Sequence, residues 1–305
     1  MHTDTPKPDY SVLIDQQTQA FIDRTNAAYP DNAVSLSIDA QRQLYDAMCQ
    51  EFQSTHPPGM QTRDYSISSN QDKTDRDRRA VPVRQYTPAS SAPPQDNTAT
   101  PHIIYLHGGG FIVGGLESHD DVCAEISDRT GHTLTSVDYC LAPEHKHPAA
   151  LEEVMLVMSH LWQASQQPLL LCGDSAGATL AAAACHAFRR SQADSFNKVQ
   201  IIAQVLVYPG LGGATSKGSY IRHANSPMLT TDEIRFYSEI RCACKDDMNC
   251  PTFAPLCDTD FSCLPPTVVF SAECDPLNDD GQQYCDFLQQ AGGSAHWINE
   301  QGLVH

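Results

Sequence analysis

The sequence predicts an α/β fold: about eight mostly parallel strands in one sheet, flanked by helices. Three observations point there. From residue 102 onward, short apolar runs alternate with longer helical stretches. The run Leu170-Leu171-Cys172-Gly173-Asp174-Ser175-Ala176-Gly177 reads as a buried strand, a tight turn and the start of an alanine-rich helix through Ala184. The apolar segment His102–Leu106 runs directly into His107-Gly108-Gly109-Gly110-Phe111, a loop with almost no side chains.

Residues 1 to about 60 read as helical, with Leu44, Tyr45, Met48 and Phe52 at helical spacing and Pro57-Pro58-Gly59 as the stop. Two extended runs follow, Asp64 to Ile67 and Val81 to Tyr86, joined by the charged hairpin loop Asp72 to Arg79. Pro88 to Pro101 is a surface connection. Then come the strand 102–106, a helix over 117–130 closed by Gly131, the strand 133–138 and a helix from Pro148 to about Gln166. After the strand and helix around Ser175, strands are expected at 201–208, 267–271 and 295–299, with a helix ending near Ala291 ahead of the last. Residues 211–255 break this rhythm. There Thr230-Thr231-Asp232-Glu233 is a capping box ahead of a helix holding Ile234, Tyr237, Ser238 and Ile240. The expected organisation is therefore a core over 61–210 and 256–305, with residues 1–60 and the insertion 211–255 meeting as a cap over the C-terminal edge of the sheet.

The 305 residues are 41% hydrophobic and 18% charged, enough for a sizeable core. A net charge of −18 argues against nucleic acid or an anionic membrane surface as partner. No stretch has the apolar length of a membrane span, and the first residues lack the pattern of a signal peptide. Twelve cysteines without an export signal read as reduced thiols in the cytoplasm. Cys242, Cys244, Cys250, Cys257 and Cys263 match no paired zinc-knuckle spacing, and no third ligand joins His145 and His147, so no metal is expected.

Gly-x-Ser-x-Gly between a strand and a helix is the pattern of a nucleophile elbow, with Ser175 as the nucleophile. The competing reading, a phosphate-cradling loop, lacks the lysine a Walker motif needs. A serine that attacks a carbonyl needs a base, a group to orient the base, and donors for the oxyanion. The glycine loop at 107–110, about 65 residues ahead of the elbow, has the form of an oxyanion loop. In this arrangement the acid and then the histidine follow the serine in chain order. Asp275 stands just past the strand 267–271, whereas Asp279 and Asp280 are placed to serve the N-terminus of the next helix. Of thirteen histidines only His296 and His305 follow Asp275. His296 lies within the last strand; His305, after Gly302-Leu303-Val304 in loop territory, is the preferred base.

These stretches, with Asp138-Tyr139-Cys140-Leu141-Ala142-Pro143-Glu144 and Asp275-Pro276-Leu277, resemble the hormone-sensitive-lipase-like family of α/β hydrolases, and within it the bacterial acetyl esterases. The resemblance spans roughly residues 100 to 305. It implies an α/β-hydrolase fold and a serine carboxylesterase for short acyl esters, with Ser175, Asp275 and His305 as triad and no cofactor. It also implies backbone donors at Gly109, Gly110 and Ala176, with Gly108 supporting the turn. Family members continue past the histidine into a final helix; this sequence stops at His305, so the core is expected without that helix, and the competence of the enzyme is an open point. An amidase or lactonase could use the same triad. A non-hydrolytic binding protein on the same scaffold, like the plant gibberellin receptor, would lack the histidine present here. The expected partner is a small-molecule ester; oligomeric state is not fixed by the sequence.

Overall fold

The computed structural model describes residues 8–29, 33–68, 80–89, 100–191 and 199–305. The charged run Asp72 to Arg79 and residues 90–99 of the connection lie outside them. Eight strands form one sheet: β1 Gln61–Ile67, β2 Val81–Thr87, β3 His102–Leu106, β4 Leu134–Val137, β5 Leu169–Asp174, β6 Ile201–Val207, β7 Thr267–Cys274 and β8 Ala295–Val304. Their spatial order is β1-β2-β4-β3-β5-β6-β7-β8. β2 pairs antiparallel with both β1 and β4, and every later pairing is parallel.

The central parallel strands β3, β4 and β5 are buried on both faces, which explains their near-continuous apolar sequences. All five residues of β3 are buried. Ile104 and Leu106 face a core shared with Leu171 of β5, with Val154 and Met158 of helix α5 (Ala149–Ser165) and with Ala181–Ala184 of helix α6 (Ala176–Ser191). Ile103 and Tyr105 point the other way, toward Cys123 and Ala124 of helix α4 (Asp120–Thr130). Ala178 and Ala181–Ala184 of α6 are fully buried, and their small size lets the helix lie close on the sheet. Gly131 ends α4 in the left-handed conformation at φ 68°. Pro148 takes the N-cap position of α5, one residue ahead of the first turn where it was expected.

The last strand is longer than its sequence suggests. Gly302 reads as a loop residue, yet β8 continues to Val304. The register shifts between Ala272↔Glu300 and Cys274↔Val304, so extra residues of β8 are absorbed in a bulge. Gly302 supplies φ 71° there, and its N–H donates to Glu273 Oε2 at 2.8 Å. β7 likewise runs to Cys274 rather than Ser271.

Helices α1 (Tyr10–Leu13), α2 (Gln16–Ala28) and α3 (Ile38–Phe52) precede the sheet, and α7 (Ser219–Arg222) and α8 (Thr231–Arg241) lie between β6 and β7. Ile38 and Tyr45 of α3 and Phe236, Tyr237 and Ile240 of α8 pack on Ile112, Val113 and Ala142. Arg42 of α3 donates to the carbonyls of Ile112 and Ala142 and forms a two-pronged ion pair with Glu144. The capping box at Thr230 and Glu233 is present in full. Asp279 and Asp280 open helix α9 (Asn278–Gln290), but their carboxylates turn away from the helix to the 211–222 segment. Asp279 accepts from Ser219 N–H at 2.8 Å; Asp280 accepts from Leu211 N–H, Gly213 N–H and Tyr220 Oη.

Burial raises Asp280 from the ordinary carboxylate value to about 6, against the pull of its three hydrogen bonds. With a folded pKa above the unfolded one, the stability this carboxyl contributes is full below pH 4 and is lost as pH rises toward 6. A carboxyl carried from its ordinary value to about 6 contributes at most on the order of 3 kcal/mol. Asp280→Asn is therefore expected to show a stability gap from the parent that changes between pH 4 and 6 and is flat above; thermal unfolding of both chains across that range checks it.

Candidate active site

Ser175 occupies the turn between β5 and α6 at φ 50°, a left-handed conformation that strains a residue with a side chain. The neighbours permit it. The strand end and the helix start approach so closely that a Cβ on Gly173 would lie 2.6 Å from the Gly177 carbonyl carbon. A Cβ on Gly177 would collide with the Leu106 and His107 carbonyls. Ser175 N–H donates to Val207 O of β6 at 2.8 Å, and Thr179 Oγ1 ties the first turn of α6 to Gly210 O.

Because Cys274 pairs with Val304, the next residue of each strand emerges side by side. Those residues are Asp275 and His305. Asp275 is fully buried; its Oδ1 accepts from Leu277 N–H at 2.8 Å and its Oδ2 lies 2.8 Å from His305 Nδ1. His305 Nε2 lies 2.8 Å from Ser175 Oγ. A carboxylate at Nδ1 fixes the proton there and leaves Nε2 as an acceptor facing the serine hydroxyl. The Tyr208 ring lies 4.6 Å from the imidazole, and burial keeps its phenol above the ordinary range and neutral. His296 is exposed on β8, away from this group.

The glycine loop follows β3 on the other side of Ser175. Gly109 takes φ 115° and Gly110 φ 58°. A Cβ at Gly109 would strike Val113 O, and one at Gly110 would sit 2.7 Å from the Tyr237 ring. Gly109, Gly110 and Ala176 line the same cavity as Ser175 and His305. The N–H of Gly108 is engaged elsewhere: it donates to Asp174 Oδ1 at 3.0 Å. Asp174 also accepts from Tyr105 Oη at 2.8 Å and faces His119 Nε2 at 3.3 Å. Burial would raise Asp174, but the His119 charge and these hydrogen bonds hold it below the usual carboxylate value. Burial likewise opposes charge on His119, and Asp174 overcomes it, so the imidazole is held above its ordinary value.

A family profile described as alpha/beta hydrolase fold matches residues 103–305. The chain belongs to the hormone-sensitive-lipase-like family of α/β hydrolases. It is 29% identical over 238 residues to an ethyl acetate hydrolase of Pseudomonas putida, covering 76% of this chain and 73% of that protein. It is 28% identical over 304 residues to an acetyl esterase of Salmonella schwarzengrund, covering 98% of this chain and 88% of the other. An α/β hydrolase from the metagenome of Lake Arreo superposes with a TM-score of 0.84 at 26% identity, over 96% of this chain and 90% of that one.

The cavity of this hydrolase measures about 560 Å³. Ser175, His305 and the glycine loop line it together with Tyr45 and Met48 of α3 and Leu229, Ile234 and Tyr237 of the 211–255 segment. Sequence reasoning passed over Asp174, His119 and Tyr208. Two carried a usable signal: Asp174 lies inside the motif, and Tyr208 at the C-terminal end of a parallel strand, where such sheets place functional groups. The turn 139–144 is structural: Tyr139 Oη donates to His107 O at 2.6 Å, and Cys140 N–H to Glu153 Oε2 at 2.7 Å. His145 is exposed, while His147 is half-buried against Thr252 and Phe253. All twelve cysteines are free thiols. Among the described residues no three metal-ligating side chains are grouped to hold an ion, and no helix is long and apolar enough to cross a membrane.

Asp174→Leu would strand the Gly108 N–H and the Tyr105 hydroxyl, each at about 1–3 kcal/mol. Asp174→Asn keeps an acceptor and loses only the charge facing His119. Urea unfolding is expected to rank the chains parent, Asn, Leu in falling stability; equal loss in both variants would remove the hydrogen-bonding role.

Proposed function

We propose that the chain is a serine carboxylesterase for short-chain acyl esters, acting through an acyl-enzyme. The observation that carries this reading is the chain of contacts from Ser175 Oγ to His305 Nε2 and from His305 Nδ1 to Asp275, both at 2.8 Å, on the wall of a cavity. The names of its relatives, ethyl acetate hydrolase and acetyl esterase, support ester hydrolysis and a small acyl group.

In this reading Ser175 Oγ attacks the ester carbonyl carbon as its proton passes to His305 Nε2. Asp275 holds the imidazole in the productive tautomer and stabilises the imidazolium. The carbonyl oxygen gathers negative charge against the N–H groups of Gly109, Gly110 and Ala176. Ala176 is the first residue of α6, where the helix N-terminus adds a favourable partial charge. His305 returns the proton to the leaving alcohol, and water repeats the sequence on the acyl-serine. Gly108 has a supporting part: through Asp174 it fixes the loop that presents its neighbours. Helices α1–α3 and the 211–255 segment act together as the cap, closing over the site and shaping the leaving-group side. The free thiols fit a reducing compartment, and on that ground we place the chain in the cytoplasm.

Hydrolysis of p-nitrophenyl acetate is expected from the purified chain and not from Ser175→Ala. Equal rates in the two would remove Ser175 as nucleophile; silence in both, with the fold retained, would favour a binding role. Asp275→Asn is expected to lower turnover by about 10⁴, because Nδ1 loses its acceptor. Gly109→Val should cost at least the 10²–10³ typical of one oxyanion donor. Parent-like turnover in Gly109→Val would sink the loop's assignment.

A further inference from the structure

Arg241, the last residue of α8, lines the same cavity as Ser175 and His305. Its guanidinium carbon lies 4.1 Å from the centroid of the Phe111 ring and 3.6 Å from that of Phe253. Phe111 directly follows the glycine loop in the chain. One nitrogen of the fork, Nη2, donates to Phe253 O at 2.8 Å. Nε and Nη1 make no hydrogen bond to any described residue, and no carboxylate among the described residues forms an ion pair with this side chain; Asp247 attracts it only from beyond ion-pair distance and is itself hydrogen-bonded to the Ala243 and Cys244 N–H groups. Most other described arginines are matched, the exposed Arg63 apart: Arg42 to Glu144, Arg84 to Asp64 and Glu117, Arg189 and Arg190 to Asp258, Arg222 to Asp279, Arg235 to Asp232.

The other charged groups on the cavity wall do not answer it. Asp174 is committed to His119, Gly108 and Tyr105. Arg235 is matched by Asp232, and Glu239 is exposed. Burial pulls the Arg241 guanidinium down to about 9, which leaves it charged at neutral pH. A charge taken out of water without a counter-ion is costly, and in a cleft it marks a place where a ligand supplies the partner. Aromatic rings beside the guanidinium hold it in place, and its free donors have the fork geometry that suits a carboxylate.

We propose that Arg241 receives a carboxylate carried by the ester, so that the preferred substrates are half-esters of short dicarboxylic acids or acylated hydroxy acids rather than neutral esters. This rests on the ester-hydrolase reading of the same cavity. The anion can belong to either half of the substrate. Held at Arg241 beside Phe111, it brings the ester carbonyl to the adjoining glycine loop and Ser175, and binding energy from this remote group is spent on orientation at the reacting carbon.

The test compares matched pairs. 4-Nitrophenyl hydrogen glutarate against 4-nitrophenyl valerate places the charge on the acyl side; acetoxyacetate against 2-methoxyethyl acetate places it on the alcohol side. The parent should favour the charged member of at least one pair in kcat/KM. In Arg241→Met that anionic-to-neutral ratio should fall about tenfold to hundredfold, the range expected for a hydrogen bond to a charged group. Arg241→Lys, which keeps the charge without the fork, should retain part of it. A merely structural tie between α8 and Phe253 would lower both members in parallel and leave the ratio unmoved, and that result overturns the proposal. So does a parent with no anionic preference in either pair. A second readout is independent of catalysis: calorimetric titration of Ser175→Ala with monomethyl glutarate should show binding that disappears in Ser175→Ala/Arg241→Met. If no ester is turned over, the esterase reading fails and the titration alone decides Arg241; equal binding, or none, in the two proteins removes it.

Discussion

The site depends on one close contact, the seating of the first turn of α6 against the end of β3. Gly177 lies so near the Leu106 and His107 carbonyls that no side chain fits there, and Gly173 faces Gly177 across the turn. That contact confines Ser175 at φ 50°, a backbone state costing of the order of 1–3 kcal/mol when a side chain is present. The same contact sets the glycine loop beside the serine, because the loop begins where β3 ends. Nucleophile and candidate oxyanion donors therefore share a single constraint, and Asp174 reinforces it by bonding the Gly108 N–H from inside the elbow.

A second constraint is the register of the sheet edge. Asp275 and His305 meet because Cys274 and Val304 are paired, and they are paired only because β8 carries extra residues in a bulge that Gly302 accommodates. Without that bulge the residue reaching Asp275 would be a different one. Chain order and strand ends place the three residues in neighbouring loops; hydrogen-bonding distance comes from the ladder.

This division explains how much was legible. The elbow and the glycine loop were, because their geometric demands fall on consecutive residues and leave a pattern in them. The central strands of the sheet were, because strands buried on both faces must be apolar throughout. The length of β8 was not: Gly302 looks the same as a loop glycine and as a bulge glycine, and only pairing with β7 distinguishes them. Asp279 and Asp280 read as helix-start acids, and they do stand in the first turn of α9, yet their oxygens serve backbone and side-chain donors of the 211–222 segment about 60 residues earlier in the chain. His119 and Arg241 gave no local signal either, since each acquires its meaning from residues far away in sequence.

Asp174 and Arg241 show two ways of keeping a charge out of bulk water. Asp174 is surrounded by donors: a backbone N–H, a tyrosine hydroxyl and an imidazole drawn toward its charged form. Its desolvation is offset within the fold, so it stiffens the loop and asks nothing of a ligand. Arg241 has aromatic rings beside it and one carbonyl, which steady the guanidinium without neutralising it. In a chain of net charge −18, carboxylates to pair with an arginine are plentiful, and the neighbouring Arg235 on the same helix has one. An unmatched cation on the wall of an otherwise largely apolar cavity is therefore not a consequence of scarcity. Its counter-charge is left for whatever enters, and the cavity that presents Ser175 to an ester presents Arg241 to an anion on it.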